Sequence, residues 1–310
     1  MPVDLFYPTG APTCLIVIKA HTPNNTLGTL LAKVHNDGFT ISKNKRVQTA
    51  GSQLPDVLEV LTQFRKGKFR TTIPSLACVV DRLNLITGQE LCAEQWLPQA
   101  KATREEMRQL ADQVLRQVYL STVHYPTIVE SLVDDYENQL ADIEGTAIPP
   151  TTVTTLDSVF DLTMGKSTGL SNYPGGSTPY ISSGDTYNSI VGMIEPEPSE
   201  IYDMPVVPVT GFGQATLQPW RFCARGNGGS AVRILVPRFA MSLSELIWYI
   251  CQINRQRWRF NYGRMALITR IEKLHIEPYP RGWNCGAKGI VKKVMGFHQQ
   301  LLQLLPDITI

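Results

Sequence analysis

The sequence predicts an α+β protein: an N-terminal α/β fragment with helices over residues 1–146, a mixed α/β domain over 151–282, and a C-terminal helix within 283–310. Three observations carry this division. The first part combines short apolar runs with two helical stripes, each opened by a capping box. The stretch Gly145-Thr146-Ala147-Ile148-Pro149-Pro150-Thr151-Thr152 has the composition of a linker. Beyond it the chain breaks into short β-like runs separated by glycine, proline and asparagine, and few helices interrupt them.

Leu15-Ile16-Val17-Ile18 lies between Pro12 and Thr22-Pro23-Asn24-Asn25 and reads as a buried strand. A second strand is expected at Gly38-Phe39-Thr40-Ile41. Thr103-Arg104-Glu105-Glu106 and Thr127-Ile128-Val129-Glu130 each place a threonine at an N-cap and a glutamate three residues later. Met107, Leu110, Ala111, Val114 and Val118 follow at helical spacing, as do Ile128, Leu132, Tyr136 and Leu140, with Pro126 between the two helices. After the linker, strands are expected at Pro179-Tyr180-Ile181, Met204-Pro205-Val206-Val207 and Val232-Arg233-Ile234-Leu235-Val236. A third capping box, Ser242-Leu243-Ser244-Glu245, starts a helix through Leu246, Ile247, Tyr249, Ile250 and Ile253. The closing helix runs from about Ile290 to Leu304 with Ile290, Val294, Phe297, Leu301 and Leu304 on one face.

A chain of 310 residues that is 43% hydrophobic and 18% charged can bury substantial cores. No stretch reaches the roughly 18 apolar residues of a membrane helix, and Met1-Pro2-Val3-Asp4 does not open a signal peptide, so a cytoplasmic protein without membrane contact is expected. Cys14, Cys78, Cys92, Cys223, Cys251 and Cys285 form no Cys-x-x-Cys pair and have no histidine at ligand spacing, which reads as reduced thiols and no metal site. The glycine clusters Gly211-Phe212-Gly213 and Gly226-Asn227-Gly228-Gly229-Ser230 are not followed by a helix, fail the context of a nucleotide fingerprint, and read as tight turns. Glu272-Lys273, placed at a strand edge, is the one late acid-lysine neighbour. No serine elbow occurs, and His21, His35, His124, His275 and His298 have no evident catalytic partner. The expectation is a binding protein with no catalytic residues and no cofactor of its own.

The net charge of +2 conceals a sharp segregation. Residues 1–150 hold 14 basic and 16 acidic side chains, residues 151–216 one basic and seven acidic, and residues 217–310 14 basic and four acidic, ten of those 14 being arginine. A late segment at +10 fits either a phosphate-binding surface or a solvated basic face. Arg255-Gln256-Arg257-Trp258-Arg259-Phe260-Asn261-Tyr262-Gly263-Arg264 interleaves arginine with aromatics and an amide just past a helix. One arginine would complement the helix C-terminus. Four offer phosphate clamps and base-edge donors together.

Thr178-Pro179-Tyr180-Ile181-Ser182-Ser183-Gly184-Asp185, Val209-Thr210-Gly211-Phe212-Gly213, Phe260-Asn261-Tyr262-Gly263-Arg264 and Leu274-His275-Ile276-Glu277-Pro278 together resemble the target-recognition domain of restriction-modification specificity subunits. Asp4-Leu5-Phe6-Tyr7-Pro8-Thr9-Gly10, Lys19-Ala20-His21 and Asn36-Asp37-Gly38-Phe39 are similar to the C-terminal tail of the N6-adenine DNA methylases found with such domains in type I and fused type II systems. The resemblance implies a methylase tail with a helical region, then a recognition domain whose loops enter the major groove of double-stranded DNA. It implies as partners an N6-adenine methyltransferase subunit or upstream domain that holds S-adenosylmethionine, a nuclease subunit, and a second copy of the chain. Most of the methylase's catalytic domain, with its cofactor and base-holding motifs, would lie before Met1. The family's helical spacer is reduced here to one short helix after Pro280.

On this reading Arg221, Arg225, Arg255, Arg257 and Arg259 are the expected phosphate contacts. Ser182, Asp185, Asn188, Gln214, Asn227, Asn261, Tyr262 and Arg264 are the expected base readers. Two other readings stay open. The chain could be the C-terminal part of a split methyltransferase that acts only with its catalytic half, or a protein-binding remnant whose helices around 103–141 dock a partner.

Overall fold

The computed structural model describes residues 15, 28–43, 45–69, 73, 76–88, 93–97, 101–145, 147–261 and 264–304, and its backbone divides into two units, Met1–Lys101 and Ala102–Ile310. The strand expected at Leu15-Ile16-Val17-Ile18 lies, but for Leu15, outside the described residues, as do Cys14 and Cys92.

In the first unit β1 (Thr29–Ala32) pairs antiparallel with β4 (Ala77–Val80), and β2 (Phe39–Ser42) forms a hairpin with β3 (Lys45–Gln48). β2 falls where the second strand is expected. The Asn36-Asp37-Gly38-Phe39 segment is a turn: Asn36 Oδ1 accepts from Gly38 N at 2.8 Å, Gly38 has φ +91°, and the buried Asp37 carboxylate takes Arg46 Nη2 at 2.6 Å. Helices α1 (Leu54–Arg65), α2 (Arg82–Gly88) and α3 (Ala93–Trp96) complete the unit. Leu31, Cys78, Val80, Leu85 and Leu97 form one small core, and Val60, Phe69, Leu76 and Ala77 another.

The second unit starts with α4 (Arg104–His124), where Thr103 Oγ1 accepts from Glu106 N at 3.1 Å, as a capping threonine should. Its stripe of Met107, Ala111, Val114 and Val118 is buried in the main core, packing with residues of the later sheets. The unit therefore begins at Ala102, ahead of the linker at 145–152, because this apolar face needs the later strands to cover it.

The second helix expected from Thr127 does not form as one element. Residues Pro126–Ser131 make a 3₁₀ turn, Leu132 is extended, and only α5 (Tyr136–Ala141) is α-helical. The cause is tertiary: Arg221 N donates to Ser131 O at 2.8 Å and Val133 N to Pro219 O at 3.0 Å, which pulls 131–133 into a bridge between Leu132 and Trp220. Ile128, Tyr136 and Leu140 are still buried, so the hydrophobic reading survives the loss of helical continuity.

The strands are β5 (Thr154–Thr155), β6 (Phe160–Met164), β7 (Gly175–Ile181), β8 (Ile190–Ile194), β9 (Val207–Val209), β10 (Cys223–Ala224), β11 (Arg233–Pro237) and β12 (His275–Ile276). One antiparallel sheet has the order β6-β11-β9. A second, ordered β10-β7-β8, pairs β10 parallel and β8 antiparallel to β7, and β12 pairs with β5. None of these sheets closes into a barrel, and the fold is mixed α/β in keeping with the α+β expectation.

The two three-stranded sheets meet where Gly165, after β6, approaches Gly226, after β10. A Cβ on Gly226 would stand 1.9 Å from the Gly165 carbonyl oxygen. Bare backbone on both sides is what allows Gly226 N to reach Ser167 O at 2.7 Å. Beside this junction, Arg233 on β11 is buried, its Nη1 donates to the Ala231 carbonyl, and it makes no ion pair among the described residues. Burial without a carboxylate lowers its pKa.

α6 (Leu243–Arg255) starts at Ser242, whose Oγ accepts from Glu245 N at 3.2 Å, and runs through the core with Leu246, Ile247, Tyr249, Ile250 and Ile253 buried. After it come α7 (Ile268–Ile271) and α8 (Ile290–Leu304). Glu272 closes α7 and does not lie on a strand edge. On α8 the buried positions are Ile290, Val294 and His298, and Phe297 meets Tyr119 edge-on with ring centroids 5.2 Å apart. Leu304, expected on the apolar face, is exposed.

Candidate nucleic-acid interface

Three loops of the second unit converge on one open cleft of ≈ 630 Å³, lined by Asp185, Phe212, Arg257, Trp258, Phe260 and Asn261. Each loop is fixed by a different device.

The 257–264 loop exists because α6 is stopped by Gln256, a buried amide whose Nε2 donates to His275 O at 2.9 Å. Arg257–Arg259 then turn as a 3₁₀ helix, and Asn261 and Arg264 close a tight reversal through reciprocal backbone bonds of 3.1 and 3.0 Å. Arg264 Nη1 donates to Arg259 O at 2.7 Å, bracing the reversal from inside. Tyr262 lies outside the described residues.

Phe260 is buried and presses on the 211–213 loop. Gly213 has φ +76°, and a Cβ there would sit 2.2 Å from Phe260 Cδ2. Glycine is thus required twice over, by conformation and by space. Gly213→Ala is expected to cost about 1 to 3 kcal/mol through this clash. Thermal melting of the variant beside Gly229→Ala, whose Cβ would meet nothing within 4 Å, would check it.

The 182–189 loop is held by an unusual anchor. Tyr187, Asn188 and Ser189 all have positive φ, at 47, 58 and 65°, although none is glycine. Such residues cost on the order of 1 to 3 kcal/mol each, and persist only where surroundings over-determine them. Here Asn188 Nδ2 donates to the Leu217 carbonyl, Gln218 Nε2 donates to Asn188 O at 2.9 Å, and Asn188 N donates to Gln117 Oε1 at 3.3 Å. The Tyr187 ring stacks on His124 with centroids 3.9 Å apart. Asp185, just ahead of this anchor, is left exposed, and its Oδ1 accepts from Arg257 Nη2.

Of the expected base readers, the structure therefore brings Asp185 and Asn261 together in the cleft, with Arg257 from the expected phosphate set. Asn188 and Gln214 are buried, Asn188 with its Nδ2 on the Leu217 carbonyl, so neither is presented at the surface. Ser182 is also buried, with its Oγ 3.4 Å from Ser230 O. Arg259 is buried too, its guanidinium carbon 4.7 Å from the Trp258 ring centroid. Arg255 binds Glu106 with Nε to Oε1 at 2.8 Å. The phosphate role expected of these two arginines does not fit: one is packed inside, the other neutralised by an acid.

Arg221 is exposed, and Arg225 is half-buried, its Nε donating to Asn227 O at 3.0 Å in the glycine-rich 226–230 turn. Neither lines the cleft. Phe212, Trp258 and Phe260 do, and the sequence reading passed them over as individual site residues. Their signal was present in the aromatic between Gly211 and Gly213 and in the alternation of arginine and aromatic after α6.

No group of three or more histidine, cysteine or acidic side chains among the described residues is placed to hold a metal. Burial pushes the Cys223 thiol up to about 12 and raises Cys78 and Cys251 as well. No helix among the described residues is long and apolar enough to cross a membrane.

No family model matches the chain, and no curated protein matches it. Among solved structures it is similar to the HsdS subunit of Thermoanaerobacter tengcongensis, with 19% identity and a TM-score of 0.31 over 66% of this chain and 49% of that one. It is also similar to the type I restriction-modification S subunit of M. genitalium, with 12% identity and a TM-score of 0.32 over 91% of this chain and 79% of that one. The chain spans about half the length of the first of these. The comparisons amount to a distant structural similarity to HsdS-type specificity subunits.

Proposed function

We propose that this chain is a sequence-reading DNA-binding module of a restriction-modification system, which positions a separate or upstream N6-adenine methyltransferase on its target. The observation that carries the DNA-binding part is the cleft itself. A guanidinium, a carboxylate, a side-chain amide and three aromatics are gathered from three loops on the unit whose last 94 residues hold the basic excess. Hydrogen-bonding groups of both polarities on an open surface suit base edges. The restriction-modification assignment rests on the sequence resemblance.

In this reading Arg221 and Arg225 supply phosphate contacts that set register without carrying sequence information. Titrating the whole chain against a random duplex while raising salt from about 50 to 200 mM should weaken binding steeply, with a log-log slope of about −0.9 for each phosphate neutralised. Arg221→Ala and Arg225→Ala are each expected to make that slope shallower by about one, equally for all sequences. A chain that ignores DNA at low salt would overturn the reading. If it also forms a stable complex with a methyltransferase, it is a protein-docking element.

A further inference from the structure

We propose that the Asp185–Arg257 pair reads one G·C base pair in the major groove, with Arg257 donating to guanine and Asp185 accepting from the cytosine amino group. The inference rests on the DNA-binding reading above and changes the part Arg257 plays in it, from phosphate clamp to base reader.

The pair is exposed, the two side chains keeping 38% and 65% of their accessibility, so it adds little to the stability of the fold. It also carries no net charge, which makes it a poor source of attraction for a phosphate backbone. What it does provide is direction. The carboxylate takes one amino group of the guanidinium, and the remaining Arg257 donors have no partner among the described residues. A planar fork with one edge pinned and the other open is suited to bidentate donation.

In the major groove guanine offers two adjacent acceptors, N7 and O6, and its partner cytosine offers an amino donor next to them. Two donors followed by an acceptor is the complementary pattern, and Arg257 beside Asp185 is that pattern. An A·T pair presents an amino donor where the second guanine acceptor would be, which would face an Arg257 donor with another donor.

Both halves of the pair are fixed before any ligand arrives. Asp185 precedes the left-handed Tyr187-Asn188-Ser189 turn, which Gln117, Leu217 and Gln218 lock by hydrogen bonds. Arg257 follows the end of α6 directly, in a 3₁₀ turn closed by Phe260 against Gly213. Asn261 lines the same cleft and sits beside the pair's floor of aromatics, so neighbouring bases have a contact of their own.

The test uses the whole chain and a randomised duplex library, with bound sequences read out and affinities measured across a salt series. Wild type should prefer G·C at one position by roughly 5- to 150-fold, the range a good bidentate contact gives. Arg257→Ala should abolish that preference, and the double variant Arg257→Ala with Asp185→Ala, which keeps the net charge, should abolish it while leaving the salt slope unchanged. Arg257→Lys, which keeps the charge but not the fork, should lose it too. Asp185→Ala should weaken the same preference while raising affinity for random duplex and steepening the salt slope by about one, because a cation is released.

If Arg257→Ala weakens all sequences alike with the G·C preference intact, and Arg257→Lys restores binding, the residue is a phosphate clamp. The inference is then wrong while the DNA-binding reading stands. If the wild-type chain binds no duplex, both are wrong. Melting curves for the variants should match wild type, given the exposure of the pair, so loss of folding does not confound the result.

Discussion

Trp220→Ala is expected to lower the unfolding free energy of the second unit by roughly 3 to 5 kcal/mol, the usual range for removing a large buried aromatic. Trp220 is among the largest fully buried side chains, and it forms the bridge to Leu132 that diverts residues 131–133 from helix. Its Nε1 also donates to Gln218 Oε1 at 2.7 Å, and Gln218 Nε2 in turn donates to Asn188 O at 2.9 Å and Thr216 Oγ1 at 2.8 Å. The substitution therefore empties a cavity and leaves a buried amide oxygen without its donor. Trp220→Phe separates the two effects: most of the volume returns, and about 1 to 3 kcal/mol should remain lost for the orphaned acceptor. Urea unfolding followed by circular dichroism gives both numbers. Because Gln218 holds the left-handed turn behind Asp185, Trp220→Phe should also blunt sequence preference under conditions where the protein is fully folded.

The second large effect has the opposite sign. Arg233→Met should raise stability by about 1 to 3 kcal/mol, since a buried charged group without a carboxylate is removed and a chain of similar length fills its place. Arg233 is 4% exposed on β11 and donates to the Ala231 carbonyl, with its Nε buried and unbonded. The sign decides the matter: a destabilised Arg233→Met protein would mean that the guanidinium has an anionic partner when the molecule is in solution. Denaturation midpoints measured at equal ionic strength would show which holds.

The helices that were legible in the sequence are those whose ends are set locally. Thr103 and Ser242 cap α4 and α6 through the residue three positions on, and the apolar stripes that follow are the ones buried. The 127–140 segment carried the same signals and broke, because backbone groups at Ser131 and Val133 bond to residues almost ninety positions away. Nothing within the segment encodes that partner.

The cleft was legible in part for a related reason. Asp185, Arg257 and Asn261 were readable as polar groups in loops. Asn188, Gln214 and Arg259 looked the same in sequence but turn inward, and Asn188 there bonds the Leu217 carbonyl. Segment charge misled as well. Asp185 belongs to the acidic stretch and Arg257 to the basic one, so counting charge by segment hides that they neutralise each other.

The seam at Gly165 and Gly226 bears on how such a protein could diversify. Both positions are closed to any side chain, whereas Asn227 and Gly229 just beyond are exposed, and a Cβ on Gly229 would meet nothing. Substitutions can therefore accumulate in the tip while the hinge on which it is mounted stays invariant. A library that randomises 227, 229 and 230 should keep its fold far more often than one that includes 226, and new specificities could be sought there without reopening the rest of the molecule.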